Sequence, residues 1–254
     1  TINPERILNA VDHRQIVIVA GFQGVNKFDD ITTLGRGGSD TSAVALAAAL
    51  GAERCMIFTD VDGVYTADPR LVKGAKKLDE ISYDEMLELA TLGSQVLHNR
   101  SVEMAKKYNV VIEVLSSIEK KSGTKVKEAA SVENVLIKGV TKDNDIARIS
   151  IIGVPDVPGV AFRIFSILAK DKINVDIILQ SIGRDGTKDI SFTVAKDNKQ
   201  TALKTLKENL SIFGGREISF DDDVSKVSIV GAGMQTNAGI AAKMFEALFE
   251  NNIN

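Results

Sequence analysis

Two short runs hold residue types that could handle a charged small molecule. The first, Gly35-Arg36-Gly37-Gly38-Ser39-Asp40-Thr41, sets glycines and an arginine ahead of the small apolar run Ala43 to Leu50. Ser39, Asp40 and Thr41 are good N-cap residues, so the glycines suggest a turn feeding a helix N-terminus. Such a terminus offers unpaired N–H groups and the positive end of the helix dipole, and glycine lets a ligand come close to the backbone. Arg36 adds a planar fork of donors that matches a carboxylate or phosphate bidentately. A plain glycine turn with a solvated arginine would use the same residues, so the surrounding elements decide. The second run, Thr59-Asp60-Val61-Asp62-Gly63-Val64-Tyr65 with Asp68-Pro69-Arg70, supplies acids, an aromatic face able to pack on a base, and an arginine able to reach phosphates.

The elements that must position these runs are legible around them. Ile16 to Ala20 and Cys55 to Thr59 are short continuous apolar runs, predicted as strands buried on both faces of a sheet. A hairpin is predicted over Phe22 to Leu34, with turn residues Asn26, Asp29 and Asp30, and then the helix. The acidic run follows the carboxyl end of a strand, where open α/β sheets commonly bind ligands. An αβα-layered domain is expected. No GxxxxGK[ST] loop occurs, and no GxGxxG follows a strand, so P-loop and ordinary dinucleotide-binding readings find no support. Ser82 with Glu85 predicts a capping box, Gly93 a helix stop, Val96 to Tyr108 a second helix and Val111 to Leu115 a strand. Glu103 and Glu113 suit solvated positions better than acid–base work. His13 and His98, the two histidines of the chain, suit surface or packing positions.

Thr33 to Thr41 resembles the substrate loop, and Thr59 to Tyr65 with Asp68 to Arg70 the nucleotide loop, of the amino-acid kinases. Within that family the resemblance is to aspartate kinases with C-terminal ACT regulatory domains, and it covers essentially the whole chain. It implies that Arg36 grips a carboxylate of L-aspartate, with Gly37, Gly38, Ser39 and Asp40 completing the pocket and Phe22 lining it. Arg36, Ser39 and Asp40 are the implied catalytic residues. Thr59, Asp60, Tyr65 and Arg70 would hold ATP, with Gln95 and Val96 as weaker candidates. The implied reaction moves the γ-phosphoryl group of ATP, with Mg²⁺ carried mainly by its phosphates, to the side-chain carboxylate of aspartate. That nucleophile is ionised at neutral pH, so no strong general base is required. Positioning and charge neutralisation would do most of the catalysis.

The sequence departs from the family in two places. The family's N-terminal Lys-Phe-Gly-Gly phosphate loop has no counterpart here, which suggests a fragment or an incomplete chain. Gln95 stands where the family usually places a nucleotide-binding lysine, so it can donate hydrogen bonds but brings no charge.

Composition narrows the classes. With 254 residues, 44% hydrophobic and 26% charged, the chain is ordinary globular material for two or three domains. The net charge is −3 and no basic cluster is interleaved with aromatics, which argues against a nucleic-acid partner. Lys120, Lys121, Lys125 and Lys127, with Ser122, Gly123 and Thr124 among them, suggest a solvated linker. No apolar stretch approaches the roughly 20 residues that span a bilayer. The single Cys55, in a predicted strand, fits a reducing cytoplasm.

The C-terminal part repeats. Arg148 to Gly153 matches Lys226 to Gly231, and past a loop two residues longer Gly159 matches Gly239, Phe165 matches Phe245 and Ile173-Asn174 matches Ile253-Asn254. Each copy is strand, glycine loop, amphipathic helix and the start of another strand, with Phe165 and Phe245 expected in the cores. The first continues through Val175 to Ser181, a turn at Asp185-Gly186, a strand from Asp189 to Ala195 and a helix near Gln200 to Asn209. This βαββαβ order is ferredoxin-like. The expected division is a partial kinase domain over 1–131, a first ACT domain over 132–213, and an incomplete second one over 214–254. By the ACT resemblance, Asp156, Pro158, Gly159, Val160 and Ala161 form one effector loop, faced by Asn174, Val175, Asp176 and Gln180. Gln235, Asn237, Ala238, Gly239, Ile240 and Ala241 with Asn254 are its counterpart. Asp156 or Asp176 could take an effector's ammonium; tight loops with solvated acids are the other reading. Lysine, threonine or both are the expected effectors, and a homodimer or higher oligomer the expected assembly. Two other functions remain open: phosphorylation of another small acid such as glutamate, and amino-acid sensing without catalysis.

Overall fold

The computed structural model describes residues 2–128, 137–181, 185–231 and 237–253. The chain forms two compact units, one made of 1–142 with 228–254 and the other of 143–227.

In the first unit, helix α1 (Glu5–Asp12) precedes a hairpin of β1 (Gln23–Val25) and β2 (Ile31–Thr33), paired antiparallel from Gln23 opposite Thr33 to Val25 opposite Ile31. The side chain of Asn26 accepts the amides of Phe28 and Asp30, which closes the turn where it was expected. Helix α2 (Gly38–Leu50) follows and leads to strand β3 (Cys55–Thr59). Then come β4 (Glu80–Ser82), α3 (Tyr83–Thr91), α4 (Asn99–Tyr108), β5 (Ile112–Ser116), β6 (Thr124–Lys127) and β7 (Gly139–Asp143). A four-stranded sheet runs β3-β5-β6-β4; β3 and β5 are parallel, as are β4 and β6, while β5 and β6 are antiparallel. Val44 and Ala47 of α2, Met86 and Leu89 of α3, and Val102 and Ala105 of α4 share one core with Ile112, Val114 and Val126 of the sheet. The capping box at the start of α3 is present: the Glu85 amide donates to Ser82 Oγ at 3.2 Å and the Ser82 amide to Glu85 Oε2 at 3.1 Å.

Three sequence expectations need correction here. Ile16 to Ala20 joins no sheet among the described residues; Ile16 is 95% exposed and Ile18 94%. Strand β3 is covered on one face only, since Cys55 is buried while Met56 and Phe58 lie 47% and 60% exposed. The lysine-rich run is no linker. Its Thr124 and Val126 are fully buried in β6, and its lysines stay at the surface in pairs such as Lys127–Glu80. Period-two alternation was there, masked by charge.

The second unit holds β8 (Ile146–Pro155), α5 (Val160–Lys170), β9 (Ile178–Gln180), β10 (Thr187–Ala195), α6 (Lys199–Glu208), the short α7 (Leu210–Phe213) and β11 (Glu217–Asp221). Its antiparallel sheet runs β11-β8-β10-β9, which with the βαββαβ order is the ferredoxin-like arrangement. Ile149 and Ile151 of β8, Ile164 and Leu168 of α5, and Ala202 and Leu206 of α6 fill its core, with Phe165 edge-on to Phe192 at 5.5 Å.

The second sequence copy supplies β12 (Lys226–Val230), paired with β7, and α8 (Ile240–Glu250). The repeat extends to backbone torsions, as Gly159 and Gly239 both cap their helices with φ of 90° and 97°. Phe245 departs from its match. It is 62% exposed, because no sheet among the described residues covers that face of α8. Gln235 and Asn254 lie outside the described residues.

Candidate active site

From the end of β2 the chain turns through Gly35 (φ 76°) and Gly37 (φ 73°), both left-handed, into α2. Gly37 itself is the N-cap, so Ser39, Asp40 and Thr41 lie inside the first turn rather than capping it. Glycine wins that position because it takes positive φ without strain. The hydroxyls of Thr41 and Ser42 instead donate back to the carbonyls of Gly37 (2.8 Å) and Gly38 (2.7 Å). No side chain caps this helix start; the Gly38 amide is taken by the Gly35 carbonyl at 3.0 Å, which leaves the Ser39 and Asp40 amides for a ligand.

The loop is held from both sides. A Cβ on Gly38 would lie 2.9 Å from the Phe22 ring, and one on Gly37 only 2.1 Å from Cγ of His98. Phe22 has φ 64°; its amide donates to Ser42 Oγ at 3.2 Å and its carbonyl accepts from the Leu34 amide at 2.9 Å. His98 is the N-cap of α4, where Nδ1 accepts the Arg100 amide, and the Arg100 guanidinium donates to the Leu34 carbonyl at 3.3 Å. Arg36 stands exposed with no ion-pair partner among the described residues. Phe22, Gly37, Gly38 and the first turn bearing Ser39 and Asp40 therefore come together around an uncommitted arginine. His98 is indeed a packing residue, but its neighbour is the glycine loop.

The acidic run is tied down more tightly than its sequence suggested. Thr59 Oγ1 donates to Asp60 Oδ1 at 3.0 Å, and the Thr59 carbonyl accepts both the amide and hydroxyl of Ser117. The Tyr65 hydroxyl donates to Asp62 at 2.8 Å, and Lys77 reaches the other oxygen at 3.3 Å and the Ser122 carbonyl at 2.7 Å. The tyrosine hydrogen bond, then the lysine, hold the Asp62 carboxyl below the usual carboxylate range; the same bond pushes the Tyr65 phenol up. Thr124 Oγ1 accepts the Val64 amide and donates to the Leu78 carbonyl. Arg70 already forms a two-pronged pair with Asp68, at 3.0 and 2.9 Å, which lowers the Asp68 carboxyl. A phosphate there would compete with Asp68. Gln95 is exposed and Val96 packs partly on the core, both in the segment between α3 and α4. Lys77 and Thr124 escaped the sequence reading of this site because they are distant in the chain, whereas Asp62 stood in the quoted motif without a role of its own. A hollow of about 430 Å³ lined by Phe58 and Leu115 to Lys121 opens at the carboxyl ends of β3 and β5.

In the second unit, Asp156, Pro158 and Gly159 are exposed before α5, Val160 is buried, and Ala161 and Val175 pack on the core. Asn174 is exposed and Gln180 lies on the edge strand β9. Both candidate ammonium-binding acids already have lysine partners, Lys188 for Asp156 and Lys226 for Asp176. In the second copy Asn237, Ala238, Gly239 and Ala241 are exposed while Ile240 is buried.

The amino acid kinase family model matches residues 1–116, and an ACT domain model matches 149–210 and 227–254. The aspartate kinase Ask_LysC of Stutzerimonas stutzeri is 49% identical over 255 residues, covering 100% of this chain and 62% of that protein. The chain belongs to the aspartokinase family. An aspartokinase of Pseudomonas aeruginosa is 50% identical across 94% of this chain and 59% of its own. Among solved aspartokinase structures, Escherichia coli aspartokinase III in complex with aspartate and ADP aligns with TM-score 0.80 at 30% identity, over 96% of this chain and 55% of that one. The Clostridium acetobutylicum aspartate kinase aligns with TM-score 0.83 at 26% identity, over 98% and 58%. The chain thus spans about three fifths of the length of the curated aspartokinases it matches. Among the described residues no helix is long and apolar enough to cross a membrane.

Proposed function

We propose that this chain forms the larger part of an aspartate kinase that moves the γ-phosphoryl group of ATP to the side-chain carboxylate of L-aspartate. The observation that carries this is the uncommitted Arg36 beside the uncapped start of α2. Its bidentate fork suits one carboxylate of the substrate, and the first-turn amides suit developing negative charge. Kinship with a structure holding aspartate and ADP supports the choice of substrates. An aspartate carboxylate oxygen bonds to the γ-phosphorus as the bond to the bridging β–γ oxygen breaks, leaving 4-phospho-L-aspartate and ADP. Tyr65, fixed by Asp62, would pack on the base, and Arg70 would exchange Asp68 for phosphate oxygens. Thr59 and Asp60 border the same loop, with Gln95 and Val96 contributing from the α3–α4 segment.

Among the described residues no group of three or more His, Cys, Asp or Glu side chains is gathered so as to hold a metal ion. Mg²⁺ would come with the nucleotide, where it neutralises phosphate charge. The ferredoxin-like module and its second copy would bind lysine or threonine as feedback effectors, at the loops before α5 and α8. The exposed edge strand β9 would pair with a second copy of the chain, making a homodimer.

The test is aspartate-dependent ADP formation by the full-length gene product, with and without lysine and threonine. Arg36→Ala should lower kcat/KM for aspartate by about ten- to a hundredfold, the worth of a charge-assisted bidentate contact. Turnover that ignores aspartate, or an Arg36→Ala variant as active as wild type, would overturn the reading.

A further inference from the structure

Strand β7 carries neither a candidate catalytic residue nor an effector loop, yet it touches both segments proposed to hold the nucleotide. The Val140 amide donates to the carbonyl of Thr66, the residue after Tyr65, at 2.8 Å. One residue on, Thr141 Oγ1 donates to the Leu92 carbonyl at 2.9 Å. Leu92 is the C-cap of α3, and the chain runs from it through Gly93 and Ser94 to Gln95 and Val96. Thr141 is only 7% exposed, so its hydroxyl sits where an unmet hydrogen bond would be costly. Close approach is enforced beside it: a Cβ on Gly139 would lie 3.0 Å from Leu89 and 3.3 Å from the Thr66 carbonyl. The strand is anchored in turn by β12, with the Lys138 amide donating to the carbonyl of the buried Val230 at 2.8 Å.

We infer that Thr141 is a positioning residue for the nucleotide, holding the end of α3 at Leu92 in register with the Tyr65–Arg70 loop through the adjacent Val140–Thr66 bond. This rests on the nucleotide reading of those two segments. Two neighbouring residues of one strand reach two separate loops, so their spacing is fixed by a single rigid element. Removing the Thr141 hydroxyl frees the Leu92 carbonyl and lets the Gln95–Val96 segment drift from Tyr65, while the glycine loop that faces aspartate stays held by Phe22, by the Arg100–Leu34 bond and by His98 at the fixed start of α4. A side chain that served stability alone would affect both substrates alike.

The experiment compares Thr141→Val and Thr141→Ala with Thr141→Ser in the full-length protein. Both hydroxyl-deleted variants should raise KM for ATP about three- to tenfold, the size of one buried hydrogen bond, with KM for aspartate within twofold of wild type, and serine should restore the wild-type value. ADP affinity by calorimetry should fall by the same factor. Hydrogen exchange of the Val140 amide should quicken in Thr141→Val and be normal in Thr141→Ser. Equal rises in both KM values, an unchanged ADP affinity in the folded variants, or failure of serine to rescue would each overturn the assignment. Should the wild type turn over no aspartate, the kinase reading fails, while ADP affinity and exchange still decide the role of Thr141.

Discussion

Replacing Gly37 by alanine separates two physical costs at the mouth of the candidate active site. The residue has φ 73°, and an added Cβ would lie 2.1 Å from Cγ, 2.4 Å from Cδ2 and 2.5 Å from Cβ of His98. The left-handed backbone alone costs an alanine about 1–2 kcal/mol. Overpacking against a ring that cannot retreat without giving up its cap on α4 adds about 1–3 kcal/mol. The sum is roughly 2–5 kcal/mol. Gly51 at the other end of α2 is the internal control, with φ 59° and nothing within 4 Å of its Cβ position. Gly51→Ala should therefore cost only the backbone share, about 1–2 kcal/mol. Urea denaturation of the two variants gives the comparison directly. Introduced into a His98→Gly background, which removes Cβ along with the ring, Gly37→Ala should fall to the Gly51→Ala value, because all three obstructing atoms are gone. If Gly37→Ala costs no more than Gly51→Ala in wild type, the His98 ring does not limit the loop and the packing account of this site is wrong.

Asp62→Asn should destabilise the protein by about 1 kcal/mol at pH 7, the worth of its bonds to Tyr65 and Lys77. Because the folded-state carboxyl is held low, that stability is present above the ordinary carboxylate range and lost as pH falls through the lowered value. Denaturation of wild type and variant at pH 7 and at about pH 3 should show the gap closing in acid. Burial, with Asp40 as a lesser cause, pushes the Cys55 thiol up to about 11, so alkylation at pH 8 should be slow in the native protein and fast in urea. Ser82→Ala should cost about 1 kcal/mol by opening the capping box, measurable by thermal melting, whereas Ser82→Asp should cost less.

Features set by neighbours in the chain were legible in the sequence. The Asn26 turn, the α2 run of small apolar residues and the Ser82–Glu85 box depend on contacts within a few positions, and residue types alone reveal them. The repeat was legible for a related reason, since Gly159 and Gly239 answer the same torsional demand in both copies. What escaped depends on distant partners. Strand β6 exists because Thr124 and Val126 meet β5 and β4, and its lysines outweighed that alternation. Ile16 to Ala20 and Phe245 show the converse, apolar residues whose pattern promises burial that no described element provides. At the site, the glycine and acidic loops were legible as motifs. Their supports were not: His98 on Gly37, Arg100 on Leu34 and Lys77 on Asp62 join residues far apart in sequence. The pairing of Arg70 with Asp68 lay within the quoted motif, but residue types do not say whether a cation will spend itself on a neighbour or wait for a ligand.

The division of the chain into 1–142 with 228–254 on one side and 143–227 on the other makes the ferredoxin-like unit an insert. The polypeptide leaves on β7 and returns on β12, and those strands are hydrogen-bonded neighbours, so entry and exit lie about one strand spacing apart, roughly 5 Å. A unit whose two ends emerge side by side can be cut out and the gap closed by a turn of a few residues, or replaced by another module with adjacent ends, at little loop-closure cost. Modularity of this kind lets a sensor be exchanged without redrawing the sheet into which it is spliced.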